Sequence, residues 1–100
     1  MRTCIERLIS RAHVDSKTIR MEIDFITGTL EQIRADGKIT NDAFLDAGAV
    51  HGALSIIAEH VDLGIPQREI QDLLRQQISR AEKIEEKHPG INDVVESHRE

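Results

Sequence analysis

The chain has 100 residues, of which 39% are hydrophobic, 31% are charged and only 2% are aromatic. This composition is typical of one small folded domain and is too apolar for a disordered chain. The formal net charge of −5 weighs mildly against nucleic acid as the main partner, but it does not argue against a local basic face.

The first third of the chain predicts a long helix. Apolar or small residues recur every seventh position, and a second set follows four positions later: Ile5, Ala12, Ile19, Ile26, Ile33, and Ile9, Ser16, Ile23, Leu30. This spacing keeps one narrow seam on one side of a helix. Asp15 or Ser16 could cap a new helix where the seam thins, but the seam continues without a phase shift. We therefore predict one continuous helix over about residues 3–35, roughly 50 Å long.

A second helix is predicted over residues 41–62. Gly37 suits the left-handed position that ends the first helix, and Thr40 or Asn41 suits the N-cap of the second. Its apolar seam has spacings of four and three, at Ala43, Ala47, Val50, Leu54, Ile57 and Val61.

The same helix carries four small residues in a cluster, Gly48, Ala49, Gly52 and Ala53. A glycine inside a helix costs about 1 kcal/mol relative to alanine. Close approach of another helix backbone would offset that cost, and we predict such a contact here. A locally kinked helix is the alternative.

A third helix is predicted over residues 66–88. Gly64 suits the end of the second helix, and Pro66 suits the first turn of the third. Its apolar stripe comprises Ile70, Leu73, Leu74, Ile78, Ala81 and Ile84. Residues 89–100 form a short tail, in which Ile91, Val94 and Val95 predict a docking turn. The predicted fold is a single all-α domain over residues 1–100, an antiparallel three-helix arrangement with one long N-terminal helix.

Unequal helix lengths predict a dimeric helical bundle. The second and third helices are each about 33 Å long, so roughly ten N-terminal residues of the first would overhang them. An overhanging apolar seam usually marks an interface. With so few aromatic residues, association would also enlarge the hydrophobic core. We predict a homodimer whose interface contains Ile5, Leu8, Ile9, Ala12, Gly48 and Gly52.

Candidate sites for chemistry are weak. Residues 36–40 resemble the centre of a calcium loop, but the first, third and twelfth loop positions fall on Gln32, Arg34 and Ala43, which carry no carboxylate. Glu85 and His88 have the spacing of a di-iron ligand pair, but no second pair exists. The serines lack a glycine elbow, and Cys4 lies near a chain end. We predict no catalytic, cofactor-binding or metal-binding residue, and no enzyme activity.

Residues 59–76 resemble a DNA-binding helix-turn-helix in their pattern. With Gly64 as the turn glycine, the side chains facing a major groove would be Gln67, Arg68, Gln71 and Arg75. Against this, His60 occupies a position that usually holds a small residue. The third helix also carries five basic and five acidic side chains, without the basic surplus of most DNA readers.

Two functions follow from these patterns. The favoured one is a small non-enzymatic regulatory or adaptor protein, such as an inhibitor or assembly subunit, that binds itself and an unidentified protein partner. The alternative is a DNA-binding transcriptional regulator. Cys4 is the only cysteine, and the longest low-charge stretch, residues 43–58, is shorter than the about 20 residues of a membrane span. We therefore expect a cytoplasmic protein without membrane contact.

Overall fold

The computed structural model describes residues 1–99, and all of its regular elements are helices. In chain order these are α1 (Arg2–Ile9), α2 (Ser16–Ala35), α3 (Asn41–Asp62), α4 (Gln67–Lys87) and α5 (Ile91–Glu96). The all-α prediction is confirmed. The described part of the chain has five helices, however, where the sequence predicted three.

The helix predicted over residues 3–35 is in fact two helices, so the prediction of a continuous helix was wrong. Residues 10–15 form the turn between α1 and α2. Asp15 caps α2, because its side chain accepts a hydrogen bond from the Thr18 N–H at 2.7 Å. The side chain of Gln67, on α4, bonds both the N–H and the C=O of Val14. These bonds satisfy backbone groups that a continuous helix would have paired internally.

The turn folds α1 back against α4 and α5, so the chain has no overhanging seam. Ile5 and Leu8 are fully buried in the core of their own chain, and Ile9 is partly buried. Burial of apolar side chains drives this packing, since an extended helix would have left them in water. The predicted overhang is absent from residues 1–35 and does not support a dimer.

The predicted end of α2 and the predicted bounds of α3 and α4 agree with the structure to within one residue. Gly37 and Gly64 both have positive φ, at 71° and 82°, directly after the C-caps of α2 and α3. Thr40 is the N-cap of α3, and its hydroxyl accepts from the Ala43 N–H at 3.1 Å. Pro66 precedes the first residue of α4 as its N-cap.

Helix α3 lies between α2 and α4 and packs extensively against both. Its buried side carries Ala43, Ala47, Val50, Leu54, Ile57 and Ala58. Arg20 pairs with Asp62 at one end of the α2–α3 contact, and the Arg34 guanidinium lies 4.2 Å from the Phe44 ring centre at the other. This arrangement leaves one long side of α3 facing outward.

Candidate interaction surface on helix α3

The outward side of α3 carries a line of apolar and small residues, which we call the α3 stripe: Leu45, Ala49, Gly52, Ile56 and Leu63. Their spacings of four, three, four and seven place them on one side of the helix, with Leu63 at the C-cap continuing the line. Leu45 is 62% exposed, Ile56 is 56% exposed and Leu63 is 79% exposed. Three of the four exposed large hydrophobic side chains in residues 1–99 therefore lie on this stripe.

Glycines in and beside the stripe face open space. A Cβ added to Gly48 or Gly52 would meet no atom within 4 Å. The close helix approach predicted at these glycines therefore does not occur within the chain, because the buried seam of α3 lies on its other side. Nothing within the described chain offsets their cost in helix propensity.

The predicted dimer-interface residues do not form one surface. Ile5 and Leu8 are buried where α1 packs on α4 and α5, and Ala12 is exposed in the turn after α1. Gly48 and Gly52 are exposed on the outward side of α3. Only these glycines belong to the surface that the structure leaves open on α3.

Two grooves flank the stripe at the same level along α3. The groove between α2 and α3 has a volume of about 90 Å³ and is lined in part by Glu31, Gly48 and His51. The groove between α3 and α4 has a volume of about 340 Å³ and includes Arg80 and Lys83 in its lining. One flank of the stripe thus carries the acidic Glu31, and the other carries three basic side chains, Arg80, Lys83 and Lys87, beside the acidic Asp46.

Asp46 forms polar contacts with two side chains on the α3–α4 side of the stripe. Its Oδ2 lies 2.7 Å from His88 Nε2 and 3.0 Å from Lys87 Nζ. The hydrogen bonds from His88 and then Lys87 hold the pKa of the Asp46 carboxyl below its usual value. Arg80 also donates to the Ala49 carbonyl at 3.2 Å. These contacts fix α4 side chains along the edge of the stripe.

A charged cluster ties the C-terminal end of the described chain to α2. Arg99 Nη2 lies 2.7 Å from Glu22 Oε1, and Arg99 Nε lies 2.8 Å from Glu96 Oε1. The same guanidinium lies 4.1 Å from the Phe25 ring centre. The pKa of Arg99 is raised, first by its bond to Glu96. Sequence reasoning missed this cluster, because pairing over 77 positions leaves no local pattern.

Cys4 lies against this cluster and is fully buried. Its Sγ is 3.4 Å from Glu96 Oε2 and 3.3 Å from Arg99 Nη2. Burial raises the pKa of the Cys4 thiol to about 12. At neutral pH the thiol is therefore protonated, which makes it a structural group and a poor nucleophile.

The four predicted base-reading residues do not share one exposed surface. Gln67 is engaged with the Val14 backbone, and the amide oxygen of Gln71 is buried without a hydrogen-bond partner in the described chain. Arg68 is exposed, and Arg75 is exposed with an ion pair to Asp72 at 3.1 Å. Of the four residues, only the two arginines are exposed.

In residues 1–99, no three His, Cys, Asp or Glu side chains come close enough together to hold a metal ion. No helix in that part of the chain combines the length and apolar character that crossing a membrane requires. Comparison of the chain with protein-family models, curated proteins and solved structures finds no match.

Proposed function

We propose that this is a non-enzymatic regulatory or adaptor protein that acts by binding another protein chain through the α3 stripe. One observation carries the proposal: Leu45, Ile56 and Leu63 are each more than half exposed on one side of one helix. Single exposed apolar residues are common, but an aligned set usually marks an interaction site.

The character of the surface supports a helix-binding role. The stripe runs straight along α3. Ala49 and Gly52, in its middle, have little or no side chain, so the surface there forms a shallow depression between larger side chains. An approaching helix can therefore pack its own apolar residues between Leu45 and Ile56. Occlusion or bridging of partner helices would require no chemistry from this protein.

Affinity purification from the native host, with nuclease treatment, tests the proposal. The baits are the wild-type chain, the double variant Leu45→Glu/Ile56→Glu, and the control Met21→Glu. Met21 lies on α2 outside the stripe and is 62% exposed, the same fraction as Leu45. We expect a nuclease-resistant protein, either a different chain or untagged copies of this one, with the wild type and with Met21→Glu.

The double variant should lose that protein, because two carboxylates on the stripe would have to be desolvated on binding. All three baits must first show the same helical circular dichroism. Recovery of the same proteins by all three baits would overturn the proposal. If everything that the wild-type bait recovers is removed by nuclease treatment, the proposal is overturned in favour of nucleic acid binding.

A further inference from the structure

We propose that the α3 stripe binds a second copy of this chain, with the two α3 helices parallel and related by a two-fold axis running along them. This inference rests on the proposed function, since it names the partner of the same surface. Three features support it: the spacing of the stripe, the charges of its flanks and the area available.

The stripe has the spacing of a coiled-coil seam. Leu45, Ala49, Gly52 and Ile56 alternate steps of four and three, and Leu63 falls one heptad beyond Ile56. In a parallel pair each residue meets its own copy, so Leu45 packs on Leu45 and Ile56 on Ile56. Ala49 and Gly52 between them allow the two backbones to approach closely.

The flanks of the stripe are complementary in charge. A two-fold axis along α3 places the α2 flank of one copy against the α4 flank of the other. Glu31 lines the first groove and Lys83 the second, at the same level along α3. Among the described residues, neither side chain has an ion-pair partner within the chain. The symmetry therefore creates two intermolecular Glu31–Lys83 pairs.

An antiparallel pair is less favourable. One antiparallel register packs Leu45 on Ile56 and Ala49 on Gly52. The same register places Asp42 of each copy against Glu59 of the other, which gives two contacts between like charges. It also places each flank against the like flank of the other copy, so Glu31 and Lys83 cannot pair. The parallel pair has the same number of contacts between like charges, since Asp42 and Glu59 each meet their own copy, so the flanks decide between the two orientations.

The area of the surface is sufficient for a dimer. The 22 residues of α3 extend about 33 Å. One helix with half of each neighbour is about 20 Å wide, so the footprint is roughly 700 Å². A standard stable interface buries about 800 Å² per partner, which this face approaches.

Disulfide trapping tests the partner and the orientation together. Leu45→Cys and Ile56→Cys are oxidised separately and examined on non-reducing gels, with Met21→Cys as the control of matched exposure. Cys4 stays in place, because it is buried with a thiol pKa of about 12. We expect each stripe variant to form a disulfide-linked dimer at least tenfold faster than Met21→Cys.

Antiparallel helices give a different pattern. In the register above, each introduced cysteine would lie about 16 Å along the axis from its own copy, beyond the roughly 7 Å limit between the Cα atoms of a disulfide. Trapping only when the two stripe variants are mixed would therefore overturn the proposed orientation. Trapping no faster than Met21→Cys would overturn the second copy itself.

Charge exchange gives an independent test of the flanks. Glu31→Lys and Lys83→Glu should each weaken dimerisation about fivefold, and the double variant should regain most of the wild-type affinity. Lys17→Glu, an exposed lysine outside both grooves, should leave the affinity unchanged. Additive weakening in the double variant would overturn the Glu31–Lys83 pairing.

The two proposals can fail separately. If Leu45→Cys and Ile56→Cys trap no faster than Met21→Cys, but the affinity purification recovers a different protein that the Leu45→Glu/Ile56→Glu bait loses, the second copy is wrong and the proposed function stands. If the two cysteine variants do not trap and the Leu45→Glu/Ile56→Glu bait recovers the same proteins as wild type, both proposals are wrong.

Discussion

The side chain of Gln67 pairs with both backbone groups of Val14, 53 positions earlier in the chain. Its Oε1 accepts from the Val14 N–H at 2.8 Å, and its Nε2 donates to the Val14 carbonyl at 2.9 Å. Val14 itself is fully buried. One amide thus satisfies the two polar backbone groups of a residue that has no helical partners, and it holds α1 and α2 apart at this turn.

We predict that Gln67→Ala destabilises the fold by about 1–3 kcal/mol, because it leaves backbone groups of Val14 unsatisfied. Urea unfolding followed by circular dichroism measures the free energy of unfolding. Gln76→Ala is the control, since Gln76 is exposed on the same helix. Equal stability of the two variants would show that the Gln67 amide does not support the turn.

Cys4 is predicted to resist thiol reagents in the native state. Burial raises the pKa of the thiol to about 12, so almost none of it is present as the reactive thiolate at pH 8. We expect no labelling by a disulfide-exchange reagent until denaturant is added. Met21→Cys supplies an exposed thiol for comparison and should add one rapidly labelled group. Rapid native labelling of wild type would contradict the burial of Cys4.

Asp46 is predicted to contribute to stability in a pH-dependent manner. Its pKa is lowered in the folded state by His88 and Lys87, so its contribution is present above the unfolded pKa of about 4 and is lost as pH falls through the folded pKa. Melting temperatures of wild type and Asp46→Asn, measured from pH 7 to pH 2.5, should converge at the acid end. A difference that stays constant below pH 4 would count against this ion cluster.

Duplex DNA binding is predicted to be undetectable at physiological salt. Gln67 and the Gln71 oxygen are not available to bases, and the net charge of the chain is −5. Gel shifts with random duplex DNA at low and moderate salt are the test, with Arg68→Ala/Arg75→Ala as the comparison. Salt-sensitive micromolar binding that the double variant loses would establish the helix-turn-helix alternative instead.

The end of α2, the start of α3 and the start of α4 could be predicted, because these boundaries depend on local chemistry. Gly37 takes a left-handed conformation, Thr40 caps its own helix and Pro66 precedes the next. These residues act within a few positions of themselves. The seam of α3 was equally local, since Ala47, Val50 and Leu54 recur at helical spacing and are all buried.

The break between α1 and α2 could not be predicted with the same reliability. Apolar residues at every seventh position are compatible with one helix or with two. The sequence did offer Asp15 as a possible helix cap, but that signal alone was insufficient to predict a break. The deciding contact comes from Gln67, whose partner is not apparent from local spacing. The α3 stripe did leave a signal, since Leu45 and Ile56 lie off the buried seam of their helix.

Light scattering of the purified chain tests the central claim, that the α3 stripe binds a second copy, most directly. The three samples are wild type, Gly52→Arg on the stripe and Gly28→Arg, a helical glycine of α2 that also has no neighbour within 4 Å. We predict about twice the 11.3 kDa chain mass for wild type and Gly28→Arg, and the single-chain mass for Gly52→Arg. A mass of one chain for wild type at about 100 µM, far above the Kd range of stable interfaces, or an intact dimer of Gly52→Arg, would contradict the account.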